Sequence, residues 1–231
     1  MKKLLVKTFL VSSLLTFPYL SSQAQSGVEI TFANNDVNFS GKTSSTKNNS
    51  DYLLPGWNKG AVRLSNDSIY RNLDLIYDIA NNRPIFKSDN GQAQMFKLGV
   101  KEFSINIPVE SNSPETKIFK NGFPPIEGGD ATTFYEVLSE GKATLLKRIQ
   151  IKLVEERTTG TILSVKQKQQ FYTYFLVTEN KITAIKKDKK QLLSILNQTK
   201  REALDNYITS NKLNVKKDEE LSKVFDYYNA L

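Results

Sequence analysis

The chain of 231 residues contains no cysteine and no histidine. That excludes disulfides, cysteine-type zinc sites, a lipid anchor on a lipobox cysteine, and catalysis by Ser-His-Asp, Cys-His or HExxH arrangements. A formal charge of +8 from 32 basic and 24 acidic residues favours solubility and contact with anionic surfaces, but lysines scattered among acids do not make a nucleic-acid binder.

Lys2 and Lys3 precede a mostly apolar run from Leu4 to Leu20, and Ser22-Gln23-Ala24 places small residues where a signal peptidase reads. These are the features of a secretory signal, with cleavage expected after Ala24. Lys7, Ser12, Ser13 and Pro18 interrupt the run, which falls short of the ~20 apolar residues of a membrane span. The expectation is an exported protein of the periplasm or exterior, neither membrane-spanning nor lipid-anchored. Residues 25–55 are rich in Ser, Thr, Asn and Gly, a composition that buries too little apolar surface to offset ordering entropy, and they read as a flexible leader.

A single domain is expected over 56–231, β-rich to 186 and helical from 187. Val62 and Leu64 alternate with Arg63 and Ser65, and Leu73, Leu75, Tyr77 and Ile79 fall on one strand face while Asp74, Ile76 and Asp78 fall on the other, which predicts two half-buried strands. The turn signals Asn81-Asn82 and Asp89-Asn90-Gly91 bracket a short strand over Ile85 to Lys87, with Pro84 at its start or on an edge. Phe96, Leu98 and Val100 are even, whereas Phe103, Ile105 and Ile107 are odd. This slip at Lys101-Glu102 predicts a bulged long strand or two strands meeting at a corner. The Gly- and Pro-rich stretch 121–130 reads as a loop.

Phe134 to Leu138 and Lys142 to Val154 form the clearest hairpin, with Gly141 expected to take the left-handed turn position. Ala143, Leu145, Ile149, Ile151 and Leu153 share one face of it, interrupted by Lys147. A further hairpin runs from Gln170 to Val177 and returns through Ile182 to Ile185. The period then becomes helical at Leu192, Leu193, Leu196, Ala203, Leu204, Tyr207 and Ile208, with a break around Asn197-Gln198-Thr199. Asp218 is placed to cap a last helix whose stripe is Leu221, Val224, Phe225 and Tyr228. The fold class is α+β: a curved, mostly antiparallel sheet followed by two or three C-terminal helices that pack on it.

No motif nominates a catalytic, cofactor-binding or metal-ligating residue, and no cofactor is expected. Gly141-Lys142 lacks the glycine and the hydroxyl that a phosphate loop needs around it. Asp74 and Asp78 face one way along a strand, but four residues at ~3.3 Å each separate them by ~13 Å, too far for a glycosidase pair. Both therefore read as acids on a solvated face. Lys186, Lys187, Lys189 and Lys190 surround Asp188 where a helix would begin and are the candidate contact for an anionic partner. Trp57, Tyr172 and Tyr174 are the candidate partner surface; core and helix packing is the ordinary explanation for the aromatic strand that carries the tyrosines.

The segment ending Gln23-Ala24-Gln25, Trp57 with Gly60-Ala61-Val62-Arg63-Leu64, Tyr77-Asp78, the Phe134 to Leu146 hairpin, Asn211-Lys212-Leu213 and Tyr227-Tyr228-Asn229 together resemble uncharacterised exported proteins of the Bacteroidetes type. The resemblance implies an envelope or extracellular location and brings no catalytic residues with it. The expected function is a non-enzymatic interaction module whose partner is an envelope protein, a glycan or a lipid. The alternatives are a binder of lipid or another apolar ligand in the concavity of the sheet and, behind it, a carboxylate-based glycan-active enzyme.

Overall fold

The computed structural model describes residues 51–108, 115–157, 164–179 and 181–231. The expected signal segment and residues 25–50 of the expected leader lie outside them. Ten strands, β1 (Asn58–Leu64), β2 (Ile69–Asp78), β3 (Arg83–Lys87), β4 (Ala93–Met95), β5 (Val100–Ile107), β6 (Glu115–Lys120), β7 (Tyr135–Ser139), β8 (Thr144–Arg157), β9 (Ser164–Thr178) and β10 (Lys181–Ile185), precede three helices. These are α1 (Lys189–Ile195), α2 (Arg201–Ser210) and α3 (Asp218–Ala230), with a 3-10 turn at Gln198–Lys200 between the first two. The sheet is antiparallel throughout and open, in the order β10-β9-β8-β7-β6-β5-β1-β2-β3-β4. The fold class read from the sequence, α+β with a C-terminal helical layer on an antiparallel sheet, is the architecture observed.

The chain builds this sheet outward from its middle. β1 to β4 form a meander in one direction; the chain then returns to the free side of β1 and lays down β5 to β10 in the other. The return occupies Phe96 to Gly99, so those residues are a connection and not the strand their alternation suggested. Phe96 packs its ring on Phe86 at 4.7 Å, and Leu98 is left 46% exposed. The slip at Lys101 is real: Arg63 opposes Glu102 while Leu64 opposes Val100, leaving Lys101 as an extra residue. Pro84 lies in β3 opposite Tyr77, beyond the last residue that β4 pairs with, so its missing N–H leaves no gap in that ladder.

β6 had no signal in the sequence. Its inward positions are Phe119, which is buried, and Lys117, which opposes Ile105. A lysine at an inward position erases the alternation that marks a strand. Asp51 to Leu53, within the expected leader, join the sheet: Leu53 N–H donates to the Tyr77 carbonyl, and the Ile79 and Ala80 N–H groups donate to the Asp51 carbonyl. Asp51 also pairs with Lys168 at 2.6 Å.

Coiling of the sheet brings distant strands together on its concave face. Tyr77 of β2 meets Phe103 of β5 and Phe119 of β6 at 5.0 Å each, and Phe134 closes the group at 5.0 Å from Phe103. Further along the same face, Leu145, Tyr174, Leu176 and Ile185 are roofed by Leu192, Leu204, Leu221, Val224 and Phe225 of the helices. The opposite face is covered locally by the 121–130 loop, which lays Phe123 and Ile126 over Tyr135, Leu146 and Phe175. Among the described residues, β8 from Arg148 and β9 up to Thr173 pair only with each other. They form a two-stranded extension on which Leu153, on the same strand face as the buried Leu145, is 66% exposed.

Gly141 is not in the left-handed region expected of it. Its glycine is required by packing instead, because a Cβ there would lie 2.5 Å from Asn229 Cγ of α3. Asn229 cannot retreat cheaply: its amide accepts from Ala143 N–H at 2.9 Å and donates to the Ala143 carbonyl at 2.9 Å. Gly141→Ala should therefore cost ~1–3 kcal/mol, the usual range for inserting a methyl where no space exists. The exposed neighbour change Lys142→Ala should stay within ~0.5 kcal/mol. Urea denaturation of both variants checks the contrast.

Candidate functional site

The polar side chains of the inner face gather where β6, β7, β8 and β9 meet the start of α3. Register does this first: Glu136 of β7 lies opposite Lys147 of β8, and Lys147 opposite Tyr174 of β9. Glu136 is 3% exposed and takes Lys117 Nζ at 2.8 Å on one oxygen and Lys147 Nζ at 3.4 Å on the other. Lys147 reaches on to Asp218 at 2.7 Å. Asp218 also accepts from Lys187 Nζ at 2.8 Å and from the Tyr174 hydroxyl at 2.7 Å. Glu115 completes the chain of charges on Lys117 at 2.9 Å.

Asp218 was expected to cap α3. It is instead the first residue of that helix, Lys217 takes the cap position without a side-chain bond, and Asp218, Glu219 and Glu220 place negative charge in the first turn. The helix dipole favours those charges there, while the Asp218 carboxylate itself faces the lysines of the sheet.

The environment holds Asp218, Tyr174 and Lys117 in their ordinary charge states. Burial alone would raise the Asp218 carboxyl, but hydrogen bonds from Lys147, Lys187 and Tyr174 outweigh it and bring it down to about 2. Burial and the hydrogen bond to Asp218 push the Tyr174 hydroxyl up, so it stays protonated. Burial works against the charge of Lys117, yet the Glu136 carboxylate reverses the effect and raises it. An ionised acid, a neutral phenol and a charged amine offer hydrogen bonds and fixed charge rather than a proton to exchange near neutral pH.

These residues line a cleft of about 660 Å³, with Tyr172, Tyr174, Lys187, Lys217, Glu219 and Ser222 among its walls. Tyr172, 51% exposed, stands at its mouth with Lys147 Nζ 4.7 Å from the ring centroid. A second cleft of about 450 Å³ lies between the β2–β3 turn and the β8–β9 extension. It is held by Asn82, whose side chain accepts from Phe134 N–H at 2.9 Å and donates to the Thr132 carbonyl at 3.0 Å. Those bonds tie the coiled sheet together.

Of the candidates named from sequence, Tyr172, Tyr174 and Lys187 come together in the larger cleft. Tyr174 is 8% exposed and forms part of its floor rather than a free surface. Trp57 is half-buried just ahead of β1, which four strands separate from β9. The lysine cluster divides: Asp188 caps α1 through Gln191 N–H, Lys187 pairs with Asp218, and Lys189 pairs with Asp205 at 2.6 Å. Lys186 and Lys190 are exposed. Asp78, expected on a solvated face, is 4% exposed and accepts from Asn81 and Arg83 to shape the β2–β3 turn.

Lys117, Glu136, Lys147 and Asp218 were not singled out as a site from sequence. The available signal was a charged residue at an inward register position, as with Lys147 between Leu145 and Ile149. Among the described residues no group of acids is placed to hold a metal ion, and no helix is long and apolar enough to cross a membrane. Comparison with protein-family models, with curated proteins and with solved structures returns no match.

Proposed function

We propose that this chain is an exported, soluble module of the periplasm or cell exterior that works by recognition rather than by catalysis. The observation that carries this reading is the ionic network of the larger cleft, in which Glu136 and Asp218 converge from different elements but are both occupied by Lys147. A general acid needs a carboxyl raised toward neutrality, and Asp218 is held at about 2. Support for an apolar-ligand binder is weaker, because Tyr77, Phe103, Phe119, Phe134 and the helices fill the concave face. The signal-like residues 1–24 and the resemblance to Bacteroidetes-type exported proteins support the location.

Intact-mass measurement of the protein from its own cells should give a chain beginning at Gln25 in the soluble envelope or medium fraction. Retention of residues 1–24 in a membrane pellet would remove the export reading. A pull-down of that mature chain from envelope extract, read for proteins, glycans and lipids, tests recognition. Turnover of a co-purified glycan would replace the module with an enzyme.

A further inference from the structure

We infer that the larger cleft is a binding site for a neutral oligosaccharide; this rests on the recognition reading above and gives it a ligand class. Two observations converge. The first is charge balance. Lys117, Lys147, Lys187 and Lys217 are matched by Glu115, Glu136, Asp218 and Glu219 in the cleft lining, so an anionic ligand meets as many carboxylates as amines. Most of the lysines are also already paired within the chain. An apolar ligand would strip water from these charges without replacing their hydrogen bonds. A sugar hydroxyl both donates and accepts, which suits a surface where donors and acceptors interleave.

The second is Tyr172, a half-exposed ring at the mouth with Lys147 Nζ over one of its faces, whose hydroxyl donates to Gln170 at 3.0 Å. Its rigid aromatic surface suits the C–H face of a pyranose, while the polar floor takes the hydroxyls. A volume of about 660 Å³ lies within the ~300–1,000 Å³ range of small-ligand sites.

Isothermal titration of the mature chain tests this with neutral oligosaccharides of glucose, xylose, mannose and N-acetylglucosamine, alongside oligogalacturonate and inorganic phosphate as anionic probes. At least one neutral sugar should saturate the protein, with the anionic probes at least about tenfold weaker. Tyr172→Ala should weaken that sugar by about tenfold or more while leaving the melting temperature unchanged, because the ring is half exposed. Lys190→Ala on the exposed part of α1 should not weaken it.

Absence of binding by every neutral sugar at ~1 mM, tighter binding of the anionic probes, or an affinity indifferent to Tyr172→Ala overturns the inference. If a protein partner is captured from envelope extract equally by wild type and Tyr172→Ala, the recognition reading survives and the glycan site falls. If a neutral sugar binds at the cleft and is cleaved, the site survives and the non-enzymatic reading falls.

Discussion

Phe225→Ala should lower stability by ~3–5 kcal/mol, the cost of removing a fully buried ring and leaving a cavity. Phe225 has no exposed surface and lies with Leu221, Val224 and Leu204 against Leu145, Leu176 and Ile185. At ~2–4 °C per kcal/mol for a domain of this size, the midpoint should fall by about 10 °C. The neighbouring Asp226→Ala is not silent, although Asp226 is exposed. Its carboxylate accepts from the Ser139 hydroxyl at 2.6 Å, and Ser139 is 5% exposed. Removing the acceptor should cost ~1–3 kcal/mol. Thermal melts of the two variants check both values; equal losses would show that the apolar stripe of α3 does not face the sheet.

Lys147→Met should cost ~3–5 kcal/mol, because methionine keeps the aliphatic packing but leaves Glu136 and Asp218 without the amine between them. Lys147 is 12% exposed at its side chain, and each acid retains one other lysine, which places the loss toward the lower end of that range. The pH dependence separates this from simple packing loss. Asp218 is depressed in the folded state to about 2, below its unfolded value of ~3.9. The stability it contributes is therefore fully present above pH ~4 and disappears as pH falls toward 2. A shift of this size corresponds to at most about 3 kcal/mol at ~1.4 kcal/mol per pH unit. Lys147→Met should move the Asp218 carboxyl back up and flatten that acid limb. Urea titrations between pH 2 and 6 measure it. An acid limb as steep as that of wild type would mean that Lys147 does not hold Asp218.

Both results depend on how a local pattern is placed in space, and the elements differ in how much of this they reveal. The helical stripe Leu221, Val224, Phe225 and Tyr228 was readable because burial of a helix face imposes a period of about 3.6 residues on whatever covers it; all four are buried. The break between α1 and α2 was readable because Asn197 accepts from Thr199 N–H, a bond made within a few residues. The slip at Lys101 was readable because a strand shifts every later side chain to the other face. β6 was not, since its Lys117 faces inward only because Glu136, from a strand formed later in the chain, waits there. Phe96 to Gly99 alternated like a strand yet became a return connection, because the site beside β1 was open to β5.

The sequence by itself determined the α+β class, the central hairpin, the helical C-terminal layer and the absence of thiol and imidazole chemistry. These follow from side-chain inventory and from periodicities that act over a few residues. Only the tertiary structure decided that Gly141 is a packing glycine beneath Asn229, that Asp78 is buried and that the lysine cluster divides. It alone brought Lys117, Glu136, Lys147, Tyr172, Lys187 and Asp218 to one cleft. Each of those outcomes is set by a partner from another strand or helix. Pairwise electrostatics and steric exclusion act on distance in space, which spacing along the chain does not encode.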